Sequence, residues 1–131
     1  MEITPATRRK TRTGPPDWFT GDVTITEIVL APGPARVQAL EIGFAPGART
    51  AWHTHPLGQI LHVVSGRGRV QREGGRIEEI GPGDAVWFAP AENHWHGAAA
   101  DAPLVHVAIQ EEGPDGAADW GSHVTDAEYG S

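Results

Sequence analysis

Short runs of alternating apolar and polar residues, separated by Gly- and Pro-rich breaks, dominate this chain. Val23 to Leu30 reads as a first strand, closed by Ala31-Pro32-Gly33-Pro34, a stop that neither a helix nor a sheet ladder crosses. In Val37 to Phe44, Leu40, Ile42 and Phe44 fall on one face and Glu41 and Gly43 on the other, the period of a half-buried strand. Pro46-Gly47 turns the chain into a run that carries two histidines. Pro56-Leu57-Gly58 turns it again, before Gln59 and the strand-forming run Ile60 to Val64.

Beyond Gly66, Arg69 to Arg72 and Arg76 to Ile80 read as a hairpin joined through Glu73-Gly74-Gly75, and its alternating charges predict a solvated rim. Gly81-Pro82-Gly83-Asp84 launches a strand at Ala85 to Phe88, and Pro90 to Asn93 turns the chain just before His94. In Val105 to Gln110 one face is apolar (Val105, Val107, Ile109) and the other carries His106, Ala108 and Gln110. The tail from Glu111 to Ser131 is acidic and Gly-rich, with Trp120 and Tyr129 as packing anchors and a short helix expected around Thr125 to Tyr129. Roughly eight or nine short strands with turns every 8 to 12 residues predict an all-β sandwich or small barrel. The expected organisation is an N-terminal arm or edge strand over 1–22, a barrel over 23–115 and a tail packing on the barrel over 116–131. The arm is expected to be mobile or to cap a neighbouring subunit.

Composition narrows the chemistry. The chain has 131 residues, the size of one domain, with 17 Gly and 11 Pro supplying the turns. A formal net charge of -7 disfavours nucleic acid and anionic membrane as partners, because a phosphate surface needs a basic footprint. The basic cluster, Arg8-Arg9-Lys10, is not followed by the apolar core of an export signal, and no run reaches the length of a membrane span. A cytoplasmic location is therefore expected. Cysteines are absent, which leaves any metal to His, amide or carboxylate groups.

His53 and His55 are two apart in an extended run, so their imidazoles point the same way. Gln59 lies past the turn and can swing back across the neighbouring strand toward them. His94 and His96 repeat the same spacing and can supply a fourth donor from another strand. Three or four such donors imply a bound divalent transition metal. Surface histidines and ordinary packing are the alternative for each pair. His62 has the wrong parity to join Gln59, and His123 is expected at the surface. Trp52, Trp87 and Trp95 are expected in the core or at a subunit interface. Neither a phosphate loop nor a nucleophile elbow is present.

The spacing Gly47, His53-x-His55, Gln59, Gly66 resembles the first motif of the cupins, a superfamily built on a double-stranded β-helix, or small jelly-roll barrel. The second motif is approximated by Gly81-Pro82-Gly83-Asp84 through Pro90 to His94, with Glu92 where a glycine is usual and one residue fewer before the histidine. TAWHTHPLGQ, FAPAENHWHGA and HVAIQ are most similar to the small bacterial cupins that act as manganese-dependent hydroxynitrile lyases. The resemblance implies His53, His55, Gln59 and His94 as metal ligands for Mn2+, with Fe or Zn also compatible. It also implies a substrate pocket lined by Leu40, Ile42, Thr50, His96, His106 and Gln110, with Phe44 extending its apolar wall and His106 as the base that moves a proton. His96 stands either as a hydrogen-bond partner behind this site or as packing. Cupins usually have glutamate at the position of Gln59. A neutral amide oxygen leaves more positive charge on the ion, so metal is expected to bind less tightly and to act as a stronger Lewis acid.

The implied activity is cleavage or formation of cyanohydrins from an aldehyde and cyanide. A cupin dioxygenase or isomerase acting on a small organic substrate, and a non-catalytic small-molecule-binding cupin, are the competing readings, since one fold hosts many functions. A homo-oligomer, dimer or tetramer, is expected from the exposed sheet and edge strands.

Overall fold

A computed structural model describes residues 1–130. Ser131, the last residue of the expected tail segment, lies outside the described residues. The described chain has thirteen strands, more than the pattern predicts, because several are only two or three residues long. They are β1 (Thr11–Thr13), β2 (Phe19–Thr20), β3 (Val23–Leu30), β4 (Val37–Phe44), β5 (Arg49–Thr50), β6 (His53–Thr54) and β7 (Gln59–Gly66). The rest are β8 (Gly68–Arg72), β9 (Glu78–Ile80), β10 (Ala85–Phe88), β11 (His94–Ala98), β12 (Leu104–Glu111) and β13 (Asp119–Trp120), followed by a short helix α1 (Asp126–Tyr129).

Two antiparallel sheets face each other. One runs β1-β3-β4-β12-β7-β10, and the other runs β13-β6-β11-β5-β2 with β8 and β9 attached through β11. Between them lie Phe19, Ile25, Ile42, Phe44, Leu61, Val63, Phe88 and Leu104, each buried. Burial alternates along the whole of β12 and along β7 as far as Val64, as the period-two pattern requires when one face meets a core. In β12 the inward face is the one bearing His106, Ala108 and Gln110, so the polar face of that strand points inward.

The local departures from expectation have physical reasons. The histidine run is not one strand: Ala51 and Trp52 interrupt it, leaving β5 and β6 as separate pairs against β11. In the expected hairpin, the Gly75 N–H returns to the Arg72 carbonyl at 2.9 Å, and the return strand starts only at Glu78. Ile77 is instead drawn into a second apolar cluster with Trp95, Val124 and Tyr129. The N-terminal segment contributes strands to both sheets of its own chain. β1 pairs β3 of its own barrel, with Thr11 opposite Thr26, and β2 pairs β5 in the other sheet.

Gly66 ends β7 at φ +85°, where an added Cβ would sit 1.9 Å from the Pro103 carbonyl oxygen, so only glycine fits. The tail is tied down by Arg49, which donates to the Val124 carbonyl at 2.7 Å and to Asp126 at 2.9 Å. Thr125 caps α1 in a reciprocal box with Glu128. Among the described residues no helix is long and apolar enough to cross a membrane.

Candidate metal centre and its cavity

The site is assembled by register. In the antiparallel β6–β11 pair, His53 stands directly opposite His94, and on the far side of β6 Trp120 of β13 stands opposite His53. The turn at Pro56 to Gly58 then brings Gln59, the first residue of β7, back to the same place. The ligating nitrogens of His53, His94 and His96 lie within 4.8 Å of one another. The His55 ring is 5.0 Å from that of His53 and 5.5 Å from that of His94. All four histidines are buried, as is Gln59. Phe88 stacks on His94 at 3.6 Å and Trp120 on His53 at 4.4 Å, which fixes both ring planes.

Backbone carbonyls decide where the protons are. His53 Nδ1 meets the Ala51 carbonyl at 2.9 Å, His55 Nδ1 the Ala117 carbonyl at 2.7 Å and His94 Nδ1 the Glu92 carbonyl at 2.8 Å. A carbonyl only accepts, so each Nδ1 carries a proton and donates it. Burial pushes all three imidazoles below their ordinary range, His94 to about 3, and His53 is lowered further by the neighbouring His94 and His55. They are therefore neutral at physiological pH, with each Nε2 lone pair facing inward.

That leaves a mismatch that a cation relieves. His94 Nε2 lies 3.2 Å from Gln59 Oε1, two acceptors face to face with no proton to share. The Nε2 atoms of His55 and His96 are buried with no hydrogen-bond partner. Converging lone pairs on neutral nitrogens and an amide oxygen suit a divalent transition metal, and the buried three-histidine cluster is able to coordinate one.

Beside the cluster lies a cavity of about 310 Å³. Leu40, Ile42, Thr50, His96 and Gln110 all line it, together with His53, His55 and Gln59. Phe44 does not; it is a core residue packed edgewise on His96 and 5.3 Å from the His106 ring. His106 is also absent from the wall. It is fully buried behind His96, with its Nε2 2.9 Å from His96 Nδ1. Burial lowers the His106 pKa to about 4 and holds His96 well below its ordinary value. His96 is thus the member of that pair which reaches the cavity.

The aromatic part of the wall escaped the sequence pattern. Trp18 and Trp120 stack face to face at 5.0 Å and, with Phe19, close one side of the cavity. Their strands are too short to show alternation, and the repeated Asp-Trp pairs at 17–18 and 119–120 were the available signal. Of the other tryptophans, Trp95 is fully buried, Trp52 is half-buried with its Nε1 donating to Glu128, and Trp87 is 59% exposed. His62 and His123 lie at the surface.

The family model described as Cupin domain matches residues 40–110, more than half of the chain. An (R)-mandelonitrile lyase from Granulicella tundricola is 55% identical over 129 residues, which covers 98% of each protein. Among solved structures, a cupin-like protein from Thermotoga maritima is 42% identical with a TM-score of 0.85, over 89% of both chains. The polyketide cyclase RemF from Streptomyces resistomycificus shares the fold at a TM-score of 0.77 and 20% identity, covering 98% of this chain and 90% of its own. The double-stranded barrel, the paired histidines that meet inside it and relatives that align along almost the whole length place this chain in the cupin family.

Proposed function

We propose that this protein is a metal-dependent lyase that cleaves aryl cyanohydrins to an aldehyde and hydrogen cyanide and runs the reverse addition. The carrying observation is that the buried donor cluster borders a cavity walled by Trp18, Phe19, Trp120, Leu40 and Ile42, a shape and polarity that suit a small aryl substrate. The substrate named for the Granulicella relative, mandelonitrile, has those properties.

In this reading His53, His55, Gln59 and His94 hold the ion. Manganese is the expected metal, because an amide oxygen among imidazoles suits a harder divalent ion, and iron or zinc fits the same donors. When bound, the metal supplies a Lewis acid beside the cavity. The aryl group packs against the tryptophan wall, and Thr50 and Gln110 face the polar end of the substrate. His96 takes the hydroxyl proton on the Nε2 that has no other partner, while His106 holds its Nδ1 and fixes the ring. The bond between the carbinol and nitrile carbons breaks, its electron pair leaves with cyanide, and the proton on His96 passes to cyanide. His106 is thus a positioning residue for the proton carrier.

The test is elemental analysis of purified protein followed by cyanide release from mandelonitrile with and without Mn2+. About one manganese per chain and metal-dependent release is the expected outcome; bound iron, copper or nickel with no release would move the function to oxygen chemistry. His96→Ala and His106→Ala are expected to keep the metal and lose turnover by roughly 100-fold or more, the usual range for a lost acid–base group. Metal lost from the His96 variant would make His96 a ligand instead.

We also propose a homo-oligomer formed through the outer face of the six-stranded sheet, where Ile60, Val64 and Trp87 are 42%, 49% and 59% exposed. Sedimentation should show the assembly, and Trp87→Glu should dissociate it.

A further inference from the structure

Three glutamines stand side by side on the inner face of the six-stranded sheet. Gln110 of β12 is directly opposite Gln38 of β4 on one side and Gln59 of β7 on the other. Their amides form a chain. Gln59 Nε2 donates to Gln110 Oε1 at 3.2 Å, Gln110 Nε2 donates to Gln38 Oε1 at 3.2 Å, and Gln38 Nε2 donates to Glu112 Oε1 at 2.5 Å. Glu112 is exposed, whereas Gln110 and Gln59 are buried.

An amide can face either way, and nothing in Gln59 itself decides whether oxygen or NH2 turns toward the histidines. The far end of the chain decides it. A carboxylate can only accept, so Gln38 must direct its NH2 outward. Its oxygen then accepts from Gln110, whose oxygen in turn accepts from Gln59. The one orientation compatible with every link leaves Gln59 Oε1 pointing at His94 Nε2, where a metal would sit.

We propose that Glu112 is a remote positioning residue: through Gln38 and Gln110 it sets the polarity of the Gln59 amide and so presents an oxygen, not an NH2, to the metal. This rests on the reading of Gln59 as a ligand. Glu112 touches neither the cavity nor the cluster, and its effect passes only through the amides.

The experiment is calorimetric titration of Mn2+ into the metal-free protein. Glu112→Lys replaces the acceptor with a donor and reverses every link, turning the Gln59 NH2 inward, so Mn2+ affinity should fall about ten-fold or more, as for other groups that orient a ligand. Gln59→Glu should raise affinity on its own, since a carboxylate has oxygen at both ends. In that background Glu112→Lys should no longer weaken binding, because the reversed chain now ends in a Gln110 NH2 donating to the carboxylate. A merely structural effect of the lysine would persist in both backgrounds. Unchanged affinity in Glu112→Lys, with Gln59→Glu still strengthening binding, would overturn the relay and leave Gln59 a ligand. No effect of Gln59→Glu would remove Gln59 as a ligand and the relay with it.

Discussion

At the scale of single residues, the His53 and His94 side chains carry the most specific predictions. Each has one nitrogen committed to a backbone carbonyl and the other turned into the cluster. Replacing either by alanine removes a donor and leaves the neighbouring lone pairs unsatisfied. Both His53→Ala and His94→Ala are expected to lose bound metal and cyanide release together, read by elemental analysis and turnover. That these two residues come together with His55 and Gln59 was legible in the sequence because motif spacing encodes strand parity, and parity decides which side chains share a face. His106 was legible as an inward residue for the same reason. That it stands behind His96 and off the cavity wall was not, since that ordering depends on how two sheets stack. The glutamine chain was likewise hidden: Gln38 falls near Gln110 only through the register of β4 and β12.

Elements rather than residues explain why β11 organises the second sheet. It pairs with β5, β6 and β8, and all five of its residues are buried. Gly97 sits at the tightest point, where an added Cβ would lie 2.5 Å from the Ala48 carbonyl oxygen and 2.7 Å from the Arg49 Cα. Backbone cannot move aside as a side chain does. Gly97→Ala is therefore expected to destabilise the fold by about 1–3 kcal/mol, the range for overpacking, measured by urea unfolding. Thr125→Ala, which removes the α1 cap, should cost about 1 kcal/mol by the same measurement. The longer strands could be read from alternation; β3, β4 and β10 begin and end where the pattern places them. The two-residue strands β2, β5, β6 and β13 could not, because so short a pairing has no period of its own.

Taken whole, the molecule buries a set of histidines that are neutral in the fold and protonate readily once exposed. Burial lowers His94 to about 3 and His106 to about 4, while an unfolded chain titrates near ~6.5. Above that pH neither state binds these protons and stability is level. As pH falls between ~6.5 and the folded values the unfolded state binds more protons, so stability drops by up to ~1.4 kcal/mol per pH unit for each histidine. The metal-free protein should thus show a melting temperature that is flat above neutrality and declines steadily from pH 6.5 to pH 4, followed by scanning calorimetry. A flat profile across that range would mean that the cluster opens to water without unfolding.

The segment that follows β12 is also part of the centre of the molecule. Ala117 supplies the carbonyl that orients His55, and Trp120 supplies both the strand partner and the stacked ring of His53, whereas the histidines themselves belong to the middle of the sequence. A chain cut before Ala117 therefore keeps the histidines of the cluster and the strands that carry them, yet two of its imidazoles lack the groups that aim them. Truncation just upstream of residue 117 is expected to weaken Mn2+ binding although every histidine of the cluster is present, as read by calorimetric titration.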